Sequence, residues 1–560
     1  MSQFFDQASL VMVPSGYKNG KVYSQKPLST DGELTFTRSN DTATRVNSSG
    51  LIEKVRTNLL TYSNDFSNAV WSKVRVALTG GQSDPFGGTN AWKMECASST
   101  GSVQIVQNAT IGNGSIYAKA GNVSSFNIWV GLNVTFDLST GTITSGASNG
   151  KIESVGNGWY RCTAINSIAT VHNPNFTGSS LGDYVYIAFA QGETGDIATD
   201  YIATTSAAVS VGPVANLPRL DYSGGATCPS LKLEPQRSNL CLWSEAFDNA
   251  AWTKDFNGAG SAPVITANYT TSPDGYQNAD RIQFSSSTAT SSDYSIVSQP
   301  IALGSTGTFS LYVKSLTSST QNLLVYWGGG QGDVFEVTTE WTRITLAGLA
   351  VQTTYVIFGT RGESGNYYNG GDATLDIAVW GAQLEEGAYA TSYIPTLSAA
   401  VTRGADMSGT TDYFGAQTFA GDFAFFVDLL PMEGNTAISD AMILGGGDYN
   451  GGGNFQSYFR FASGNIVLKG VAEALVIVRS YTMTANQQYK ILVTRTGTTV
   501  KIFANGAQVG ASATSSVSVI LRSLGWSYIQ ASYNYDGRIN QVLLMPSGLT
   551  DAQAIELTTI

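Results

Sequence analysis

Charge is scarce in this chain. Only 13% of its 560 residues are Asp, Glu, Lys or Arg, against roughly 25% in ordinary globular chains, and the balance is acidic, with a formal net charge of -11. No Lys or Arg cluster occurs, which argues against nucleic acid as a partner, because phosphate backbones are bound through a basic footprint. Histidine appears once, as His172 in HNPNFTGSS, and is read as a surface-loop side chain. A histidine-dependent triad would have to use it, and the GxSxG, P-loop and HExxH patterns are all missing, so no catalytic residue is assigned and no enzyme is expected. The four cysteines, Cys96, Cys162, Cys228 and Cys241, include no CxxC pair. Zinc and disulfide frameworks are therefore unsupported, and Cys96 and Cys162 are read as buried free thiols in preference to a pair meeting across a sheet. Nowhere do the roughly 18 successive apolar residues of a membrane helix occur, and the N-terminus lacks the basic start and apolar run of a signal peptide. No membrane insertion is expected.

Helical periodicity is nearly absent too. In its place are short alternating runs bounded by Gly, Asn, Ser and Asp, with 61 glycines in all. In TLDIAVWGAQL, Leu375, Ile377 and Val379 alternate with Asp376, Ala378 and Trp380, which puts the two sets on opposite faces of a sheet. The pattern is that of β-sandwiches.

One block occurs twice. RTNLLTYSNDFSNAVWSK from Arg56 returns as RSNLCLWSEAFDNAAWTK from Arg237, with Trp71 and Trp252 in register. GWYRCTAI around Trp159 answers EWTRITLA around Trp341, and AQGETGDIATDY from Ala190 answers AQLEEGAYATSY from Ala382. A period this long means tandem domains, each with its own core, and not a stack of short repeats. The organisation read from it is a lead-in at 1–55, a first module at 56–212, a linker at 213–236, a second module at 237–402 and a further β domain at 403–560. In the last, Asn505-Gly506 marks a tight hairpin, and Thr550 with Gln553 forms a capping box for a closing helix. The lead-in is too short for a comfortable domain of its own. Its apolar stretch Ala8–Val13 is expected to dock onto a larger assembly or to intertwine with other copies.

The order of these blocks resembles that of bacteriophage virion proteins, namely tail or head fibres and appendages: a lead-in, TNLLTYSNDF with its tryptophan, AQLEEGAYATSYIPTLSAAVTR, and GRINQVLLMPSGLTDAQAIEL at the end. The modules resemble carbohydrate-binding jelly rolls, and residues 403–560 resemble a laminin-G or concanavalin-like sandwich. The resemblance implies a homotrimeric virion appendage, assembled in the host cytoplasm, joined to other virion proteins through its N-terminal segment and adhering to host-surface polysaccharide. Two alternatives stay open: a decoration or connector protein that binds no glycan, and a glycan depolymerase, for which two carboxylates would suffice.

Sugar sites use exposed aromatic rings flanked by side chains that reach hydroxyl groups. What survives duplication is most simply the fold, so the paired tryptophans are assigned to the core or a sheet edge. Candidate glycan-binding residues are those on loops that differ: Trp327 in VYWGGGQGD, and Tyr367 and Tyr368 in the second module's ten-residue gain. In the terminal domain they are Tyr449, Asn450 and Asn454 in GGGDYNGGGNF, and Trp526 and Tyr528 in LGWSYIQ. Ordinary loop packing is the alternative for Trp327, Tyr367 and Tyr368, a long flexible hairpin for the Tyr449 group, and burial within a strand for Trp526 and Tyr528. Asp448 is the one candidate metal ligand, with Ca²⁺ as the ion such lectin-like loops hold.

Overall fold

Alternation becomes strand almost everywhere. In the computed structural model about 55% of residues lie in strands and 4% in helices. The protein is all-β, with tandem jelly-roll sandwiches followed by a concanavalin or laminin-G-like sandwich. The structure describes residues 2–18, 21–26, 33–98, 101–287, 289–327, 332–350, 353–362, 371–406, 415–432, 441–446, 457–525 and 535–560. They fall into two compact units, one of residues 55–212 and a larger one of residues 1–54 with 213–560.

The smaller unit is built on two strands of 20 residues, Gly101–Ala120 and Trp159–Gly178, paired antiparallel from Gly101 opposite Gly178 to Lys119 opposite Trp159. A register shift between Asn108 and Asn113 bends the pair, so each strand serves both sheets of the sandwich. One half carries Ser72–Val74, Ser125–Trp129, Asn133–Asp137 and Thr142–Ser145. The other carries Gly150–Gly156, Tyr184–Glu193, Ala91–Cys96 and Val76–Gln82. Between the layers lie Trp71, Ile105, Ile128, Phe136, Phe176 and Ile187. Cys96 and Cys162 are buried and not joined in a disulfide. His172 is fully buried on a central strand, which corrects its reading as a surface-loop residue. It alternates in phase with Pro174 and Phe176, and the inward phase decides its place in spite of its polarity.

In the larger unit the second module has two separate five-stranded sheets. The counterparts of the long strands are divided, into Tyr294–Ala302 with Gly307–Ser315, and Thr342–Leu349 with Thr353–Arg361. Cys241, Phe247, Trp252, Phe284, Leu311, Val325 and Phe358 fill its core. The terminal sandwich sets a sheet containing Phe423–Pro431, Tyr489–Thr496, Thr499–Ala504 and Gly537–Met545 against one containing Ala441–Gly445, Tyr458–Ala462, Asn465–Lys469 and Leu475–Ser480. The Asn505-Gly506 turn takes φ of 48° and 81°, the left-handed pair expected of a tight hairpin. The helix Asp551–Thr558 carries the Thr550–Gln553 capping box.

The N-terminal segment departs from expectation. Leu10–Lys18 pairs with Gly537–Met545, Leu10 opposite Leu544 and Met12 opposite Val542. Leu10 and Met12 enter the main core of the terminal sandwich, while Phe4, Ala8 and Val11 pack on the other side of the same sheet with Leu543 and Leu557. The stretch 8–13 is therefore covered by the chain's own last strand, and neither a larger assembly nor another copy is needed to shield it. The apolar stretch is plain in the sequence, but nothing local names a partner more than 500 residues away.

Two ionic latches tie the lead-ins into this unit. Lys54 Nζ lies 2.9 Å from Glu245 Oε1 and 2.7 Å from Asp274 Oδ2, and its ammonium sits 5.3 Å from the Trp380 ring. Deeper still, Arg38, Arg219 and Arg403 share Asp406 and Glu234, all with fully buried side chains. Arg38 Nη1 is 2.9 Å from Asp406 Oδ1, and Arg219 Nη2 and Arg403 Nη1 are 2.8 and 2.9 Å from Glu234 Oε2. Burial alone would raise the Glu234 carboxyl, but Lys232, Arg403 and Arg219 hold it well below the usual range. A knot of this kind fixes geometry more than it adds net stability, yet losing one member leaves a charge stranded.

Candidate functional site

The residues common to both modules form a frame of hydrogen bonds. Asn58 Nδ2 donates to the carbonyls of Ala190 and Ile202, as Asn239 Nδ2 does to those of Ala382 and Ile394. Trp71 Nε1 donates to the Tyr62 carbonyl and Trp252 Nε1 to the Trp243 carbonyl, each at 3.0 Å. Lys73 and Lys254 cap nearby backbone carbonyls. Ser63 meets Tyr201 as Ser244 meets Tyr393, and Arg161 and Arg343 each donate to a serine hydroxyl, Ser115 and Ser310. Trp71, Trp159 and Trp252 are buried, and Trp341 is half-buried with Nε1 on the Thr271 carbonyl. The duplicated side chains thus close each sandwich on its own first and last segments, and none is left facing a ligand.

The outward faces differ. In the smaller unit, SFNIW alternates Phe126 and Ile128 inward with Asn127 and Trp129 outward. Trp129 is 41% exposed. Its neighbours across the strands are Asn133 and Asn173, and the adjoining row runs Thr135, Asn127, Asn175, Gln104 and Val74. The amides lock one another. Asn127 Nδ2 donates to Asn175 Oδ1 at 3.2 Å, Asn175 Nδ2 to the Asn173 carbonyl at 3.1 Å, and Asn173 Nδ2 to Gln104 Oε1 at 3.0 Å. An exposed indole thus stands on a rigid sheet beside fixed amide donors and acceptors. The ring can stack on the C–H face of a sugar while the amides reach its hydroxyl groups.

Cross-strand register gives the counterparts in the second module. Trp129 facing Asn173 becomes Tyr326 facing Ile357, Asn127 facing Asn175 becomes Leu324 facing Gly359, and Gln104 becomes Ile296. Ile296, Leu324 and Tyr326 are all buried. The polar platform of one module is an apolar, covered surface in the other.

Trp327, expected on an exposed glycine-rich loop, is only 3% exposed and belongs to the second module's core. It shares the inward phase of Leu323 and Val325, which outweighs the glycines that follow it. Tyr367, Tyr368, Tyr449, Asn450, Asn454, Trp526 and Tyr528, with the candidate metal ligand Asp448, lie outside the described residues. Among the described residues no group of three His, Cys, Asp or Glu side chains is placed to hold a metal ion, and no helix is long and apolar enough to cross a membrane. A shallow cleft of about 360 Å³ in the second module is lined by Val264, Gln283, Gln321 and Asp376 among others. Its polar groups are already paired, Asp376 with Arg281 and Gln321 with the Asp376 backbone. Trp129 is the residue that sequence reasoning missed. Its signal was present, a tryptophan in phase with asparagine and out of phase with Phe126 and Ile128.

No protein-family model matches the chain, and no curated protein matches it. Among solved structures it is similar to the tandem CBM22 domains of Paenibacillus barcinonensis Xyn10C at 12% identity, covering 59% of this chain and 98% of that one with a TM-score of 0.19. Mouse laminin α1 domains LG4-5 align at 10% identity over 56% of this chain and 95% of that one, with a TM-score of 0.16. The sialidase of Trypanosoma rangeli aligns at 9% identity over 93% of this chain and 98% of that one, with a TM-score of 0.19. At such scores no functional argument follows from these likenesses.

Proposed function

We propose that the protein is a non-enzymatic, glycan-binding appendage of a bacteriophage virion, assembled in the host cytoplasm and acting as a homotrimer on host-surface polysaccharide. The observation that carries the binding reading is Trp129, exposed on a strand and ringed by locked amides. The open indole offers a stacking face, and the fixed amides beside it supply the polar partners that a sugar needs. The virion reading is supported by the order of sequence blocks. Binding at one such face is weak, and linked copies facing one surface raise the effective concentration. Attachment to the particle is not assigned to residues 8–13, which the terminal sandwich consumes.

The test is binding of the purified full chain to host cells and to polysaccharide extracted from them. Trp129→Ala is expected to weaken binding about tenfold, equivalent to ~1.4 kcal/mol. A chain that enters the particle but binds neither cells nor polysaccharide is a connector. Release of reducing ends from the polysaccharide marks a depolymerase.

A further inference from the structure

We infer that the Trp129 face selects an uncharged glycan and, through a turn of the Asn173 side chain that uncovers its Oδ1, seats one donor group of the glycan there, a sugar hydroxyl or an acetamido N–H. The inference rests on the glycan-binding reading and specifies its ligand. Asn173 is only 9% exposed, its Nδ2 is committed to Gln104 Oε1 and its backbone carbonyl to Asn175 Nδ2, while Oδ1 is buried with no partner among the described residues. A buried acceptor left unmade is costly. Here it stands directly across from the one exposed tryptophan of the face. The amide order around it is directional, so turning the Asn173 amide over would set its oxygen against Gln104 Oε1 unless that amide turned as well.

Charge decides the ligand class. Trp129, Asn127, Asn133, Thr135, Asn173, Asn175 and Gln104 include no ionised group. The nearest strand contributes Lys73, but its Nζ is spent on the carbonyls of Ser67, Asn68 and Trp71 at 3.0, 2.8 and 3.0 Å. A uronate, sialate or phosphate would find no cation among these side chains, would face an acceptor oxygen at Asn173 and would approach a chain of net charge -11. Hydroxyl and acetamido groups meet every requirement of the face. The second module offers no duplicate, because Ile296, Leu324 and Ile357 stand where the amides would be.

The test uses the full chain in titrations against mannan, dextran and chitooligosaccharides on one side, and alginate and hyaluronan on the other. Binding to at least one uncharged glycan and to neither acidic one is expected. Asn173→Leu, which removes the acceptor at similar volume, should weaken that binding at least tenfold, as should Trp129→Ala. Asn133→Lys, at an exposed position, should confer binding to alginate. If Asn173→Leu fails to fold, the half-buried Asn127→Ala and exposed Asn133→Lys variants read the same face. Acidic-glycan binding by the unmodified chain, or uncharged-glycan binding that survives both Trp129→Ala and Asn173→Leu, overturns the inference and leaves the general adhesin reading standing. Failure to bind any of these glycans, or whole host cells, removes the adhesin reading itself and this inference with it.

Discussion

The first and second modules share one hydrogen-bond frame and differ in nearly everything outside it. In the first, Asn64 sits where the second has Glu245, and Val211 where the second has Arg403. Glu245 receives Lys54 of the first lead-in, and Arg403 receives Glu234 of the second. Asn64 instead spends its amide on the Phe189 N–H and the Asn90 carbonyl within its own module. The first difference, with Asp274 beside Glu245, explains why Lys54, which immediately precedes the first module in the chain, is held by the second. The outward sheet face follows the same division, with polar amides and an exposed ring in the first module and buried aliphatic groups in the second. Duplication preserved what closes a sandwich, while the faces took up separate tasks, one joining segments of the larger unit and one left to solvent.

The strongest way to break this comparison is to give the second module the first module's residue at the ionic knot. Arg403→Val leaves Glu234 Oε2 short of a buried partner at 2.9 Å. Breaking a buried pair from one side costs about 3–5 kcal/mol. In urea unfolding of the full chain followed by intrinsic fluorescence, the transition of the larger unit should move to lower denaturant while that of residues 55–212 stays in place. An unchanged larger-unit transition would mean that Lys232 and Arg219 alone satisfy Glu234, and that the knot is redundant.

Much of the frame was legible because it is local and periodic. The Asn505-Gly506 turn, the Thr550–Gln553 box and the duplicated Trp71 and Trp252 all follow from chemistry within a few residues. Strand phase outweighs local composition in this fold. The glycines after Trp327 and the polar surroundings of His172 each suggest a loop, yet both residues alternate with core residues. The same rule would have drawn Trp129 out of its strand and onto the surface. Long-range partners are another matter. The pairing of Leu10 with Leu544 and the meeting of Arg38, Arg219, Arg403 and Asp406 depend on which distant segments arrive together, and no spacing in the sequence carries that information.

A sharper version of the comparison concerns one aromatic ring. The first module places Phe189 at φ 55°, 4.9 Å from Tyr201 and 5.9 Å from Tyr117. The second gives the left-handed position to Gly381, at φ 66°, and fills the space from the preceding residue, Trp380, 4.6 Å from Tyr393 and 5.5 Å from Tyr312. A bulky residue at positive φ costs about 1–2 kcal/mol, which the first module accepts in order to seat the ring. Phe189→Gly should relieve that strain but lose a packed phenyl worth about 3–5 kcal/mol, for a net destabilisation of about 2 kcal/mol. Adding Ala188→Trp transplants the second module's solution and should recover more than half. If the double variant is no better than the single one, the two arrangements are not interchangeable and the pockets have diverged along with the faces.

The smallest expected difference is one of pH, and it isolates the first module because the chain's single histidine lies there. Burial pushes the His172 pKa down to about 3, and a Cβ on Gly114 would collide with its ring. The second module has Phe309 and Val356 at these two places, a larger and a smaller residue exchanged. Unfolded, His172 titrates near 6.5, so below that pH the unfolded chain binds a proton that the folded one refuses. Its contribution is complete above pH 6.5 and declines as pH falls toward 3, with a limiting slope of about 1.4 kcal/mol per pH unit. Between pH 7 and 5.5 the first module should lose about 1 kcal/mol through this group. His172→Val should flatten that slope relative to the unmodified chain, whatever the lost ring volume does to stability at neutral pH. Equal slopes for both proteins over this range would show that His172 is protonated within the fold, and that its burial among Trp71 and Gly114 is less complete than the packing implies.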